Sequence, residues 1–485
     1  MSSKLIGLKP EKIWKHFFEI LKIPHCSGNE KALGDYVLNF AKQCNLESER
    51  DSVGNVVVRK PGTKGLENTP GIILQGHMDM VGEKNSDVDF DFSSDGIKAV
   101  VDGEWLRAEG TTLGADNGIG LAASLALMED DTAVHGPLEF LFTVEEETGL
   151  TGATQLKPGF LRGKYLLNLD SEDWGEFTIG CAGGADTEII LPLERRSTAD
   201  GDAYLLKLTG FKGGHSGVDI HLGRANAIKC LARILYQVGR DVPFLLVDAV
   251  GGNLRNAIPR EAWAHVYITD DHRDDFEKKE KAAFDKIVLE YKAVEPTAAV
   301  SFEKADDVKL SPLNMESQRS LINLLYAIPH GVVSMHAEMK ELVETSSNLA
   351  VVRTEKNRAK IICSTRSSVA SAIEATRHTI AVICELADAD VTLEDGYPGW
   401  TPNLASPLLK TMKDIYRNSY NEEPHISAIH AGLECGIIGE KYEGMDMISF
   451  GPTIKFPHSP DEKLHIASVS DFWDFLVLVL NKLAG

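Results

Sequence analysis

The sequence predicts an α/β fold: a domain built on a mostly parallel sheet flanked by helices, split by an inserted α+β domain with ferredoxin-like repeats. Three observations predict it. Short apolar strands alternate with helices over residues 1–186, the pattern of a largely parallel sheet. Over 187–395 the order becomes strand, helix, strand, strand, helix, strand, and a helix-strand-helix-strand stretch follows; the first six elements have the ferredoxin-like order. After 396 the α/β pattern returns, so 1–186 and 396–485 read as two parts of one domain. A chain of 485 residues is too long for one core in any case.

The elements follow in order. Pro10 to Leu21 reads as a helix, with Ile13, Trp14, Phe17, Phe18 and Leu21 as its apolar stripe and Pro24 beyond its end. Asn29 suits the cap of a second helix carrying Leu33, Val37 and Ala41. Val56 to Val58, Ile72 to Gln75, Leu138 to Val144 and Tyr165 to Leu169 are apolar runs of strand length, and Gly118 to Met128 is an Ala- and Leu-rich helix. In the insertion, strands are expected at Ala203 to Thr209, Pro243 to Val247, Ala262 to Thr269 and Ala298 to Phe302, with helices at Arg224 to Val238 and Arg273 to Tyr291. From Ser317 to Glu394 a second half follows that is one strand short of a full repeat. Asn256-Ala257-Ile258-Pro259 and Asn348-Leu349-Ala350-Val351 precede related strands, which suggests an internal duplication fused into a single sheet. Gly396 to Pro402 is a turn-rich linker. Met447 to Phe450 is a strand, and Ser468 with Asp471 forms a capping box for a last helix, Val469 to Leu483.

Composition excludes several classes. A formal net charge of -22 argues against nucleic acid, which needs a basic footprint, and against an anionic membrane surface. No apolar run approaches the ~18 residues of a membrane span. Met1 to Trp14 holds no apolar segment of the secretory kind. The seven cysteines are odd in number, widely spaced and without a CxxC, which fits free thiols in a reducing, cytoplasmic setting.

The residues able to do chemistry gather where strands end. His77 and Asp79 follow the strand Ile72 to Gln75. Asp116 sits in the glycine-rich turn Gly114 to Gly120, Glu145-Glu146-Glu147 end the strand from Leu138, and Asp170 ends the strand from Tyr165. His458 follows the strand at Met447. Open α/β sheets collect ligands outside the carboxyl ends of their strands. Taken singly, Asp116 reads as a helix cap, the glutamate run as a solvated face and His458 as a loop histidine. Taken jointly, two histidines and several carboxylates form a hard donor set suited to Zn, Mn or Co.

GHMDMV, GADNGIG, EEETG, LLNLDSED and PHSPDE resemble the motifs of the co-catalytic di-zinc metallopeptidases related to acetylornithine deacetylase and succinyl-diaminopimelate desuccinylase. GGHSGVDIHLGRANA, GGNLRNAIPRE, GYPGW and HAGLECG look further like the aminoacyl-histidine dipeptidases, or bacterial carnosinases. The resemblance runs from about His25 to His458. It implies that the split domain is catalytic and the insertion a lid. It also implies two divalent ions, Zn with Co or Mn as alternatives: His77 and Asp170 hold one, Glu147 and His458 the other, and Asp116, followed by a cis peptide, bridges both. Asp79 resembles the acid that orients His77. Glu146 is implied as the general base; Glu145 stands where the family usually has Asp. His215 resembles the lid histidine that stabilises the tetrahedral oxyanion, and Asn256, Arg366 and Gly432 resemble the remaining substrate contacts.

The expected activity is hydrolysis of dipeptides with a free C-terminal carboxylate. The alternatives are an amidohydrolase acting on N-acyl amino acids and a non-catalytic binding protein on the same fold. Monomer and homodimer are both open, because an enlarged lid is able to mimic within one chain the contact through which small-lid relatives dimerise.

Overall fold

The computed structural model describes residues 7–306 and 308–485; the first six residues of the expected signal-free N-terminus lie outside the described residues. The chain forms two compact units, one of residues up to Gly180 with Trp400–Ala428 and Leu433–Gly485, the other of Cys181–Gly399 with Ile429–Gly432. Among the described residues no helix is long and apolar enough to cross a membrane.

The first unit is built on an eight-stranded sheet. Its order is Glu47–Arg50, Val56–Lys60, Leu138–Thr143, Ile72–His77, Tyr165–Asn168, Asp446–Ser449, Glu176–Cys181, His425–Ile429. The four central strands, from Leu138–Thr143 to Asp446–Ser449, run parallel. Antiparallel strands flank them. The central strands are apolar on both faces because both faces are covered. Ile72, Leu74, Phe140 and Phe142 face one core, and Ile73, Leu141 and Leu166 face the other. The helix Glu11–Ile20 packs its stripe on Ala115–Met128, whose residues are buried nearly all round.

Two expected caps fall elsewhere. The second helix, Lys31–Gln43, starts after Glu30 rather than Asn29, and the Glu30 carboxylate accepts from the amides of Gly28 and Glu145. The last helix, Ile466–Ala484, is capped by His465, whose ring accepts from the Ser468 amide, so Ser468 lies inside the helix.

The second unit contains a ten-stranded sheet whose strands pair antiparallel among the described residues. Its main path runs Ala299–Lys304, Asp202–Thr209, Ala262–Ile268, Val250–Gly251, Val343–Thr354, Arg358–Ser367, Gly183–Pro192, Asp390–Tyr397. The first four are a ferredoxin-like repeat in the spatial order fourth, first, third, second strand. The last four are a second repeat, and its first strand is Gly183–Pro192. That strand precedes the whole first repeat in sequence, which is why the second half reads one strand short, and it runs unbroken across residues 186 and 187. The two second strands pair edge to edge, Val250 with Arg353 and Gly251 with Val352, and fuse the repeats into one sheet.

Three local readings change. Asn348 lies inside the strand Val343–Thr354, and its amide donates to the carbonyls of Arg255 and Ala257, so the two asparagine stretches touch rather than correspond. Arg366, which the sequence places after an apolar strand from Lys360 to Cys363, lies within the longer strand Arg358–Ser367. Gly396 and Tyr397 end a strand paired to Ala185 and Gly184, so the turn begins only at Pro398.

Candidate metal centre and active site

All four parallel strands end at the same edge, and the first unit places the expected donors there. Strand parity puts Gln75 and His77 on one face, with Asn168 and, two residues on, Asp170. A buried polar ladder lies beneath them. Glu434 accepts from Gln75 Nε2 at 2.5 Å and Thr143 Oγ1 at 2.8 Å, Gln75 Oε1 accepts from Asn168 Nδ2 at 2.6 Å, and Asn168 Oδ1 accepts from Ser449. These bonds tie together the central strands just before the donors begin. Gly76 is required here because a Cβ would come within 2.1 Å of Asn117 Oδ1.

His77 Nδ1 donates to the Asp79 carbonyl at 2.9 Å, which leaves the Nε2 lone pair facing Asp116 Oδ1 at 3.1 Å and Asp170 Oδ1 at 3.2 Å. His458 Nε2 stands 3.2 Å from Asp116 Oδ2 and 3.0 Å from Glu147 Oε1. Asp116 therefore presents one oxygen to each imidazole, and the peptide after it is cis. Three overlapping groups bring their ligand atoms within 4.8 Å of one another: His77, Asp116, Asp170; His77, Glu146, Glu147; and Asp116, Glu147, His458.

The Asp79 carboxylate has a different emphasis from the one expected. It lies 3.5 Å from His77 Nδ1, while accepting from Ser27 Oγ at 2.7 Å and from the amides of Glu146 at 3.0 Å and Glu147 at 3.1 Å. Its backbone orients the imidazole and its side chain grips the glutamate turn. Glu145, at φ +50°, adopts the left-handed conformation that begins this turn, and His458 does so at φ +58°. Such conformations cluster where a site needs a fixed aim.

The electrostatics ask for cations. Among the described residues no Lys or Arg pairs with Asp79, Asp116, Glu146, Glu147 or Asp170. Glu147 Oε1 and Asp170 Oδ1 are buried and face imidazole nitrogens, His458 Nε2 at 3.0 Å and His77 Nε2 at 3.2 Å. Burial and the carboxylates around it push Asp170 up to about 7 against the pull of His77. Burial, with Asp170, Glu434 and Glu147 nearby, holds Glu146 well above the usual carboxylate range. Hydrogen bonds to Asp116 and Glu147 raise His458 to about 11. An acidic cluster of this kind takes up protons in place of positive charge. Divalent ions fit it: a lone pair of His77, the paired oxygens of Asp116 and the buried oxygens of Asp170 and Glu147 converge with no Lys or Arg among them, and the His77 ring is fixed through its other nitrogen as metal-bound imidazoles are.

Two further carboxylates escape a reading of the sequence. Glu434 anchors the ladder, and Glu462 accepts from four backbone amides of the Asp116 turn. Both fall inside quoted motifs, HAGLECG and PHSPDE. The local signal for Glu434 is a charge between the apolar Leu433 and Cys435.

The remaining expected residues meet in the second unit. Gly214-His215 pairs with Ala257-Ile258, which sets His215 beside Asn256, and the Asn256 carbonyl accepts from the Ser216 amide. His215 Nδ1 accepts from the amides of Gly217 and Val218 at 3.2 and 3.0 Å, so the ring proton resides on Nε2. Burial and the Arg366 charge lower its pKa, which keeps it a neutral donor. Gly217 lies against both the His215 ring and the Arg366 stem. Arg366 is 8% exposed and donates to the Tyr397 hydroxyl at 2.7 Å, its Nε is buried without a partner, and no carboxylate pairs with it among the described residues. Gly432 packs on Tyr397, whose ring would lie 2.8 Å from a Cβ there. His430, buried and bonded to Ser346 at 2.7 Å, meets His215 and Arg366 around Gly217, a neighbour the sequence does not single out.

Imidazoles and carboxylates converging without cationic partners, at the carboxyl edge of a parallel sheet, are the donor set of a divalent-metal hydrolase. The chain belongs to peptidase family M20/M25/M40, whose profile matches residues 73–482. It is 41% identical over 482 residues, 99% of both chains, to a cytosol non-specific dipeptidase of Escherichia coli (strain K12). The crystal structure of an aminoacylhistidine dipeptidase from Vibrio alginolyticus superposes with a TM-score of 0.92 at 42% identity, covering 99% of this chain and 98% of that one. An aminopeptidase of Bacillus cereus shares the fold at a TM-score of 0.59 and 16% identity, over 99% of this chain and 100% of its own.

Proposed function

We propose that the protein is a cytosolic dipeptidase that hydrolyses dipeptides with a free C-terminal carboxylate, Xaa-His dipeptides such as carnosine among them, at a two-metal centre. The names of the two full-length relatives support the dipeptide reading. The observation that carries it in this chain is Arg366: a guanidinium buried without a carboxylate is costly unless a ligand brings one. A substrate carboxylate matches its geometry.

We assign His77 and Asp170 to one ion, Glu147 and His458 to the other, and Asp116 to both; Zn suits the set, with Co or Mn as alternatives. Divalent ions held by these residues would supply Lewis-acid polarisation of a scissile carbonyl and a water of lowered pKa, from 15.7 in bulk towards ~7. Glu146 accepts the proton of the attacking water and returns it to the departing amine. Asp79 holds Glu146 in place through its backbone amide. His215 offers an Nε2–H to the oxyanion, and Asn256 and Gly432 line the substrate pocket with Arg366.

Arg366→Ala should cost about 2–5 kcal/mol in kcat/KM, the scale for losing one partner of a desolvated charge pair. Amidating the C-terminus of the substrate should cost the wild-type enzyme a similar amount and cost the variant little. Kinetics on the four combinations test this; an equal penalty for amidation in both enzymes would remove Arg366 as the carboxylate's partner.

A further inference from the structure

The helix Ala115–Met128 begins without a local cap. Its flanking residue Gly114 has no side chain and a left-handed backbone at φ +70°, and Asp116 and Asn117 are themselves non-helical. Amides at a helix start need acceptors from outside the helix. Here one carboxylate supplies them from across the chain. Glu462 Oε2 accepts from Leu113 at 2.6 Å and Gly114 at 2.9 Å, and Oε1 accepts from Ala115 at 2.8 Å and Asp116 at 3.3 Å. The side chain is buried, so these bonds are not shared with bulk water.

Glu462 also stands four residues after His458, in a loop tied to itself. The Glu462 amide donates to the Ser459 carbonyl at 3.0 Å, and Ser459 Oγ donates to the Phe456 carbonyl at 2.8 Å. One carboxylate thus fastens the backbone that carries Asp116 to the loop that carries His458. We propose that Glu462 is a positioning residue that holds Asp116 and His458 in common register, so that the second cation site depends on it. The inference rests on the two-metal reading above.

The chemistry of the clamp sets the test. A carboxylate offers acceptors on both oxygens. Glutamine is nearly the same shape but would turn two N–H donors towards backbone N–H groups. Aspartate keeps the acceptors and is one methylene too short. Glu139 is the control, a buried carboxylate that accepts from the amides of Arg162 and Gly163 at 2.7 Å each and pairs with Arg59, with no part in the donor cluster.

The full chain is stripped of metal and titrated with Co2+, read by visible absorption and elemental analysis, with far-UV circular dichroism checking the fold. The wild type and Glu139→Gln should bind two ions. Glu462→Gln should keep its fold and bind the second ion about 10- to 100-fold more weakly, the usual scale for groups that support metal ligands. If Glu462→Gln does not fold, Glu462→Asp carries the test and should weaken the second ion at least about tenfold. Two ions at unchanged affinity in the folded Glu462 variant would overturn the inference. A wild type that binds a single ion would instead overturn the two-metal reading beneath it.

Discussion

Asp116→Ala should abolish hydrolysis and release both metal ions, the largest effect expected of any single substitution in this chain. Asp116 faces both imidazoles, one oxygen at 3.1 Å from His77 and the other at 3.2 Å from His458. His77→Ala leaves Asp116, Glu147 and His458 together, and so should spare the second site more than the first. Removing Asp116 leaves each site with only its terminal ligands. Metal polarisation supplies several kcal/mol of transition-state stabilisation, so activity should fall by at least ~10³-fold. Elemental analysis of the purified variant, with a dipeptide assay at saturating zinc, measures both effects. Retention of both ions would mean that Asp116 does not bridge.

The adjacent glutamates should then separate cleanly. Glu146→Gln should keep both ions and lower kcat by about 10²–10⁴-fold, the usual worth of a general base. Glu147→Gln should weaken the second ion, because the buried Glu147 Oε1 faces His458 Nε2 at 3.0 Å and the amide that replaces it is a poorer cation ligand. The two residues share an anchor, the Asp79 carboxylate on their successive amides. The substitutions should therefore differ in metal content rather than in folding. Metal analysis and kcat on the pair decide the assignment: a Glu146→Gln enzyme short of metal beside a Glu147→Gln enzyme with two ions would reverse the roles.

Much of this arrangement was legible because it follows strand ends. Apolar runs such as Ile72 to Leu74 and Leu138 to Leu141 are buried on both faces and announce themselves, and the polar residues that terminate them fall at one edge. Long-range pairing was not legible in the same way. The first strand of the second repeat, Gly183–Pro192, lies a whole repeat upstream of its partners, and no periodicity links it to Arg358–Ser367. The caps fall a residue or a few away: the second helix starts after Glu30, whose carboxylate serves the distant turn at Glu145 instead of the helix, and His465 rather than Ser468 receives the last helix. The supporting polar groups were the least visible. Gln75, Thr143 and Asn168 look like interruptions in apolar strands until Glu434 is set against them. Tyr397 and His430 likewise gain meaning only beside Arg366 and Ser346.

The most direct test of a two-metal dipeptidase is to strip the chain of metal and add Zn2+ stepwise while following carnosine hydrolysis. Hydrolysis should be absent from the metal-free chain and should rise until two equivalents are bound. Full activity at one equivalent, or hydrolysis that survives complete removal of metal, would contradict it.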